Sequence, residues 1–210
     1  MSQVTLIGDV VASREAIDRL DLHQALQQAL REVNAHYETD LRITVGDEYQ
    51  GAVPSLGLAT RIALDLRLAL LPTYDVRHGI GVGAVRLLDP ETRVQDGPGW
   101  WAAREAIEQV AALESQAATR TARTWVSGAG DASVLSAVNA ALGGRDELVG
   151  RLDRRSLSVL AGILAGRTQR QLAEEEHVSA SAISQRVRAD ALGTVAAMTE
   201  RLERVEAGRP

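Results

Sequence analysis

Hydrophobic positions along the chain switch between two periods, and the switches mark out its elements. Val4 to Gly8, VTLIG, is a short continuous apolar run of the kind that forms a buried strand. From Arg14 to about Tyr37 the residues Ile17, Leu20, Leu22, Leu26, Leu30 and Val33 keep helical spacing, which predicts a long helix. Leu41 to Val45 and Tyr49 to Val53 are two short strands with Gly46, Asp47 and Glu48 at the bend. A helix follows from Ser55 to Leu71 with the serine as its cap, then a strand from Val76 to Val85 carrying RHGIGVGAV. Strand, helix, strand, strand, helix, strand is the split βαβ, ferredoxin-like order. After Glu114 come a loop, SQAATR, a strand from Ala122 to Val126 that extends the sheet, and a helix from about Asp131 to Leu142 ended by Gly143 and Gly144.

Residues 145–210 carry helical signals alone, so the chain divides into an α+β domain over 1–144 and a small all-α domain over 145–210. Arg145 to Arg155 is a charged connection kept helical by Leu148, Val149 and Leu152. Leu157, Val159, Leu160, Ile163 and Leu164 form a supporting helix ended by Gly166. Thr168 to Val187 then has the pattern of a helix-turn-helix. Thr168 and Gln171 make a capping box, Leu172 and Ala173 close the first helix on the second, Val178 plugs the turn, and Ser179 caps the second helix. Ile183 and Val187 turn one face inward and leave Ser181, Ala182, Gln185, Arg186 and Arg188 outward. The module resembles the helix-turn-helix of sigma-factor region 4 and of LuxR-type regulators, which implies double-stranded DNA as a partner, with Thr168, Arg170 and Ser179 beside the outward residues of the second helix. Two positions depart from that pattern: Glu176 stands where an apolar residue packs, and His177 replaces the turn glycine and must take a left-handed conformation. Leu192, Val195, Thr199, Leu202 and Val205 recur at helical spacing, as a helix that pairs with a second copy of the chain or as one folded back on its own domain.

Charge changes the picture only slightly. The chain holds 23 basic and 28 acidic residues, all the basic ones arginine, for a net charge of −5. Residues 151–210 hold 10 of the arginines and 8 of the acids, net +2, leaving 13 against 20, net −7, in residues 1–150. Phosphate contacts supply most DNA affinity, so a single module with Arg167, Arg170, Arg186 and Arg188 binds weakly alone, and a homodimer would double the contacts. Cysteine is absent, which excludes disulfides, thiol catalysis and cysteine-ligated zinc and fits a cytoplasmic protein. No apolar run is long enough for a membrane span. His23, His36, His78 and His177 have no metal-ligand spacing.

In the ferredoxin-like order the first and second strands run parallel with the third between them. Gly8 and Asp9, at the exit of the first strand, therefore lie beside the bend that carries Gly46, Asp47 and Glu48. Carboxylates converging on one edge suit Mg²⁺ bridged to nucleotide phosphates, and the backbone amides after Asp9 would hold a phosphate. The plain alternative is that Gly-Asp is good turn chemistry and that Asp9 only caps a helix.

IGDVVASR, TVGDEYQG, RHGIGVGAV and DGPGWWAAREAI, in that order and spacing, resemble the SatD family. These are bacterial proteins whose N-terminal part is similar to the palm domain of class III nucleotide cyclases and GGDEF enzymes, followed by a helix-turn-helix. The resemblance implies Asp9, Asp47 and Glu48 as ligands of Mg²⁺ or Mn²⁺, a nucleotide lying against Val10, Val11, Ala12, Ser13 and Arg14, and Arg104 near the transferring phosphate. The departures bear on catalysis. Ile43 stands where cyclases have a base-selecting lysine, Val45 precedes Gly46 where GGDEF enzymes have a second glycine, and Trp100 to Ala103 offer no counterpart to the cyclase asparagine. Loss of such groups costs orders of magnitude in rate, which favours a palm that binds over one that turns over. The expected protein is a DNA-binding transcriptional regulator with a non-catalytic palm that senses a nucleotide with a divalent metal. Its competitors are an active nucleotide cyclase or nucleotidyltransferase and an inert scaffold. The tandem Trp100 and Trp101 would stack on a base or fill a core or interface.

Overall fold

A computed structural model of the chain describes residues 2–13, 18–89, 91 and 94–207. The start of the expected first helix, with Arg14 of the expected nucleotide segment, lies outside them. The first strand, β1 (Ser2–Val10), sends Val4, Leu6 and Val10 to one face and Thr5 and Ile7 to the other, the period-two alternation of a strand buried on both sides. Helix α1 (Arg19–Tyr37) starts at Asp18, whose carboxylate accepts from the N–H of Leu20 and Asp21. Then come β2 (Arg42–Val45), β3 (Glu48–Val53), α2 (Leu56–Leu70) and β4 (Val76–Ala84). The hairpin β5 (Arg86–Asp89) and β6 (Val94–Asp96) stands apart as a second, two-stranded sheet, an element that the apolar pattern did not suggest. Helix α3 (Pro98–Glu114), β7 (Thr124–Gly128) and α4 (Ala132–Gly150) complete the mixed part.

The main sheet has the order β2-β3-β1-β4-β7, antiparallel throughout except for β7, which runs parallel to β4. Its first four strands, with α1 and α2 on one face, form the ferredoxin-like α+β arrangement, and β1 and β2 are parallel across β3. The core lies between the sheet and α1, α2 and α4, with Leu6, Tyr49, Ile80, Leu26, Ile62 and Leu142 at its centre. Helix α3 covers the opposite face. The alternate glycines of RHGIGVGAV explain its approach: a Cβ on Gly79 would lie 2.3 Å from the Ala103 carbonyl oxygen, and one on Gly81 2.1 Å from that of Gly99. Only bare backbone lets α3 sit this close.

The helical part is α4 followed by α5 (Arg154–Leu164), α6 (Gln169–Glu175), α7 (Ala180–Ala189) and α8 (Leu192–Glu203). Here the structure corrects the expected end at Gly143 and Gly144: α4 runs through both to Gly150, so residue 144 falls inside a helix. The two glycines are tolerated because flanking residues are anchored, Leu142 in the main core and Val149 in a second core. That second core joins Leu64 of α2 and Val149 to Leu157, Leu160, Leu172 and Ile183. The helix beginning at Leu192 folds back on its own chain. Leu192 and Val195 enter the second core and Leu202 the first, while Glu203 pairs with Arg61 of α2. Its apolar stripe is therefore used internally and is not a face for a second copy. Among the described residues no helix is long and apolar enough to cross a membrane.

Candidate functional site

The carboxylate edge forms where the topology puts it. Asp9 is the last residue but one of β1, Asp47 stands in the turn between β2 and β3, where Gly46 has φ +65°, and Glu48 opens β3. Asp47 reaches back across the edge and its Oδ2 accepts from the Val10 N–H at 3.1 Å, which ties the two strand ends together. Each of the other acids meets an arginine. Asp9 lies opposite Arg77 in the β1–β4 register and accepts two hydrogen bonds, from Nε at 2.9 Å and Nη2 at 2.8 Å. Glu48 accepts from both terminal nitrogens of Arg104 of α3, at 2.8 and 2.9 Å, and this fork holds its carboxyl below the usual carboxylate range. The three acids expected as metal ligands are thus gathered on one edge and individually satisfied. Among the described residues no group of three or more acids or histidines is placed to hold a metal ion. The arrangement does not fit a divalent cation while Arg77 and Arg104 keep their partners.

Two amides of the expected phosphate segment are likewise engaged. The Val10 N–H goes to Asp47, the Val11 N–H donates to the Asp75 carbonyl at 2.9 Å, and Ala12 turns the chain with φ 53°. Ser13 follows, and Arg14 lies outside the described residues. Trp100 packs on Ile7, Ala103 and Ile107, whereas Trp101 is 63% exposed and donates its indole N–H to Asp96. The tandem pair is split between core and surface.

Beneath the edge runs a chain of charge pairs that the sequence did not reveal. Arg77 also binds Glu114 at 2.8 Å; Glu114 meets Arg123 at 3.4 Å; Arg123 meets Asp75 at 2.8 Å; Asp75 meets Arg67 at 2.7 Å; and Arg67 meets Asp146 of α4 at 3.3 Å. Arg67 and Asp146 are almost wholly buried, as is Arg145 next to them, whose Nη1 donates to the Thr60 carbonyl. Its Nε and Nη2 find no partner among the described residues. The segment read as a charged connection therefore has its first two charges in the interior. Tyr49 and His78 form a second buried pair, Oη to Nε2 2.7 Å, and burial pushes the imidazole down to about 3.

The helix-turn-helix forms with the expected caps. The Gln171 N–H donates to the Thr168 hydroxyl at 3.3 Å, the Thr168 N–H donates to Gln171 Oε1 at 2.9 Å, and the Ser179 hydroxyl accepts from the Ala182 N–H at 3.1 Å. His177 takes the left-handed turn with φ 54°. Glu176 avoids the apolar role by binding the Ser158 hydroxyl at 2.6 Å and Arg155 at 3.3 Å, both on α5. Thr168, Arg170, Ser179, Ser181, Ala182, Gln185 and Arg188 are exposed along α6 and α7, and Arg170 pairs with Glu174 of its own helix. Arg186 is a correction. It is not outward but turned back, with Nη1 bound to both Asp153 oxygens at 2.9 Å, to the buried Ser156 hydroxyl at 2.5 Å and to Asp190 at 3.4 Å. Three residues on from Ile183, it shares enough of the inward face to clamp α7 to the start of α5.

Among solved structures the chain is similar to a bacterial light-regulated adenylyl cyclase, at 12% identity over 60% of this chain and 42% of that one, with a TM-score of 0.48. It is similar to an adenylate cyclase from Trypanosoma brucei, at 19% identity over 52% and 69% of the two chains, TM-score 0.44. The guanylyl cyclase domain of the RhoGC fusion protein from the aquatic fungus Blastocladiella emersonii follows at 16% identity over 51% and 73%, TM-score 0.41. At such identities and scores the likeness says nothing of this chain's chemistry. No curated protein matches the chain. The SatD family model matches residues 3–199, nearly the whole length, and the chain belongs to the SatD family.

Proposed function

We propose that this protein is a DNA-binding transcriptional regulator whose palm-like half is non-catalytic. The observation that carries the reading is the open face of α7: Ser181, Ala182, Gln185 and Arg188 are exposed on a helix that is capped, clamped by Arg186 and backed by Leu172 and Ile183. A rigid helix with a polar outer face and a cap at each start is what entry into a major groove requires. Thr168, Arg170 and Ser179 supply backbone contacts beside it. A homodimer accords with the small number of such contacts, with an interface elsewhere than the apolar stripe of α8, and sedimentation of the pure protein measures it.

The non-catalytic part of the reading is supported by the paired carboxylates. A nucleotide with Mg²⁺ or Mn²⁺ reaches this edge only by displacing Arg77 from Asp9 and Arg104 from Glu48. Sensing of such a ligand and the breaking of those two pairs are then one event, which thermal-shift screening of nucleotides with and without metal detects. Fluorescence anisotropy of duplexes from upstream of the protein's own coding region tests the DNA reading. Binding is expected to prefer some sequences and to fall with salt, and Ser181→Ala with Gln185→Ala is expected to abolish the preference. Unaltered preference in that variant rejects the assignment of α7. Cyclic or transferred nucleotide product formed from ATP or GTP, and lost in Asp47→Ala, would instead establish an active cyclase or nucleotidyltransferase.

A further inference from the structure

A groove of about 530 Å³ lies beside the outer face of α7. Ala182, Gln185 and Ala189, spaced three and four apart along that helix, line one side, and Arg151 at the C-cap of α4 with Arg155 in the first turn of α5 line the other. The arginine of α7 that borders the groove, Arg186, is spent on Asp153 and Ser156 and does not reach outward. Arg151 and Arg155 do: their side chains are 72% and 51% exposed. Each has an acid for company: the exposed Arg151–Glu147 pair contributes little, while Glu176, 19% exposed, keeps its bond to the Ser158 hydroxyl if Arg155 turns to a phosphate, which an arginine fork fits better. A helix lying in a major groove has a phosphate backbone on either flank, and α7 carries a single exposed arginine of its own, Arg188.

We propose that the joint between α4 and α5 is a second phosphate grip, in which Arg151 and Arg155 hold the DNA backbone alongside α7. This rests on α7 being the DNA-reading helix. It assigns to the residues between the strand-bearing and helical parts a contact with the partner as well as a mechanical connection.

The test is anisotropy of the full chain with a mixed-sequence duplex of about two helical turns, over about 50 to 200 mM salt. Loss of two phosphate contacts lowers the slope of log affinity against log salt by about 1.8, so that Arg151→Ala/Arg155→Ala is expected to lose about tenfold less affinity than the parent across that range. Arg151→Lys/Arg155→Lys is expected to keep the parent slope, and circular dichroism melting of both is expected to match the parent because the two side chains are exposed. A slope unchanged in the alanine pair, while Thr168→Ala/Arg170→Ala reduces it, overturns this proposal and leaves the DNA reading standing. No binding by the parent at the lowest salt overturns both. Should the alanine pair melt early, the lysine pair decides: a slope lowered despite retained charge counts against a phosphate contact.

Discussion

Replacing Asp146 and replacing its neighbour Arg145 are expected to have effects of opposite kind. Asp146 is 1% exposed and accepts from Arg67 Nη1, from the Arg123 N–H at 2.8 Å and from the Thr124 hydroxyl at 3.4 Å. Burial pushes its carboxyl up and the two arginines pull it down. Asp146→Ala takes one of two carboxylate partners from Arg67, which keeps Asp75, and the principal compensating charge from Arg145, both in an interior that water cannot reach. Breaking a buried pair on one side costs about 3–5 kcal/mol, and for a chain of this size that lowers Tm by about 6–20 °C. Arg145 is the contrary case. It donates one hydrogen bond, to a carbonyl that α2 already occupies, and two of its nitrogens have no partner among the described residues. Burial draws this guanidinium down to about 10, a sign of how poorly its charge is compensated. Arg145→Met fills the space with an apolar chain, and a change of less than ~1 kcal/mol, or a gain, is expected. Thermal and urea unfolding of both variants at pH 7.5 measure the difference. An Asp146→Ala protein within 1 kcal/mol of the parent, or an Arg145→Met protein weakened as much as Asp146→Ala, refutes the reasoning.

Other outcomes follow from single contacts. His78 titrates at about 3 when folded and near 6.5 when unfolded, so between those values the unfolded chain binds the extra proton. Its contribution is therefore complete above about pH 6.5 and declines by about 1.4 kcal/mol per unit below it; urea midpoints at pH 6.5 and 5 should differ, and His78→Gln should flatten the difference. A Cβ on Gly57 would lie 2.0 Å from the Glu203 carbonyl oxygen, so Gly57→Ala must push the end of α8 off α2. A loss of about 1–3 kcal/mol and faster proteolysis after Arg201 or Arg204 are expected, and a parent-like digestion pattern contradicts the docking. Combining Arg77→Gln with Arg104→Gln frees Asp9 and Glu48 beside Asp47. That variant is expected to gain a Mn²⁺-dependent rise in Tm over the parent, read by differential scanning fluorimetry, and equal responses would mean that the arginines do not guard the edge.

The ferredoxin-like core was legible because its strands and helices carry unmixed periods: VTLIG has one and the run from Leu20 to Val33 the other. The caps of the helix-turn-helix were legible for the same local reason, since Thr168, Gln171 and Ser179 act within four residues of themselves. What stayed hidden is non-local. Gly143 and Gly144 have the propensity of a helix end, and only packing of residues on either side overrides it. Arg145 and Asp146 look like surface charge until Arg67, far away in sequence, is placed against them. The partners of Asp9 and Glu48 belong to the same class, for a carboxylate that would bind a metal and one that binds an arginine have the same spelling. Arg186 is different: its distance of three from Ile183 already put it near the inward face, and the signal was available.

The uninterrupted course of α4 has a practical and evolutionary consequence. A cut after residue 144, where the glycines invite one, would sever a helix in mid-course, take Asp146 from Arg67, and strip Leu64 of the residues that enclose it. Neither fragment would keep its interior closed. Recombination that swapped the helical half onto another strand-bearing half would have to carry the end of this rod with it, so the two halves are bound to be inherited, mutated and purified together.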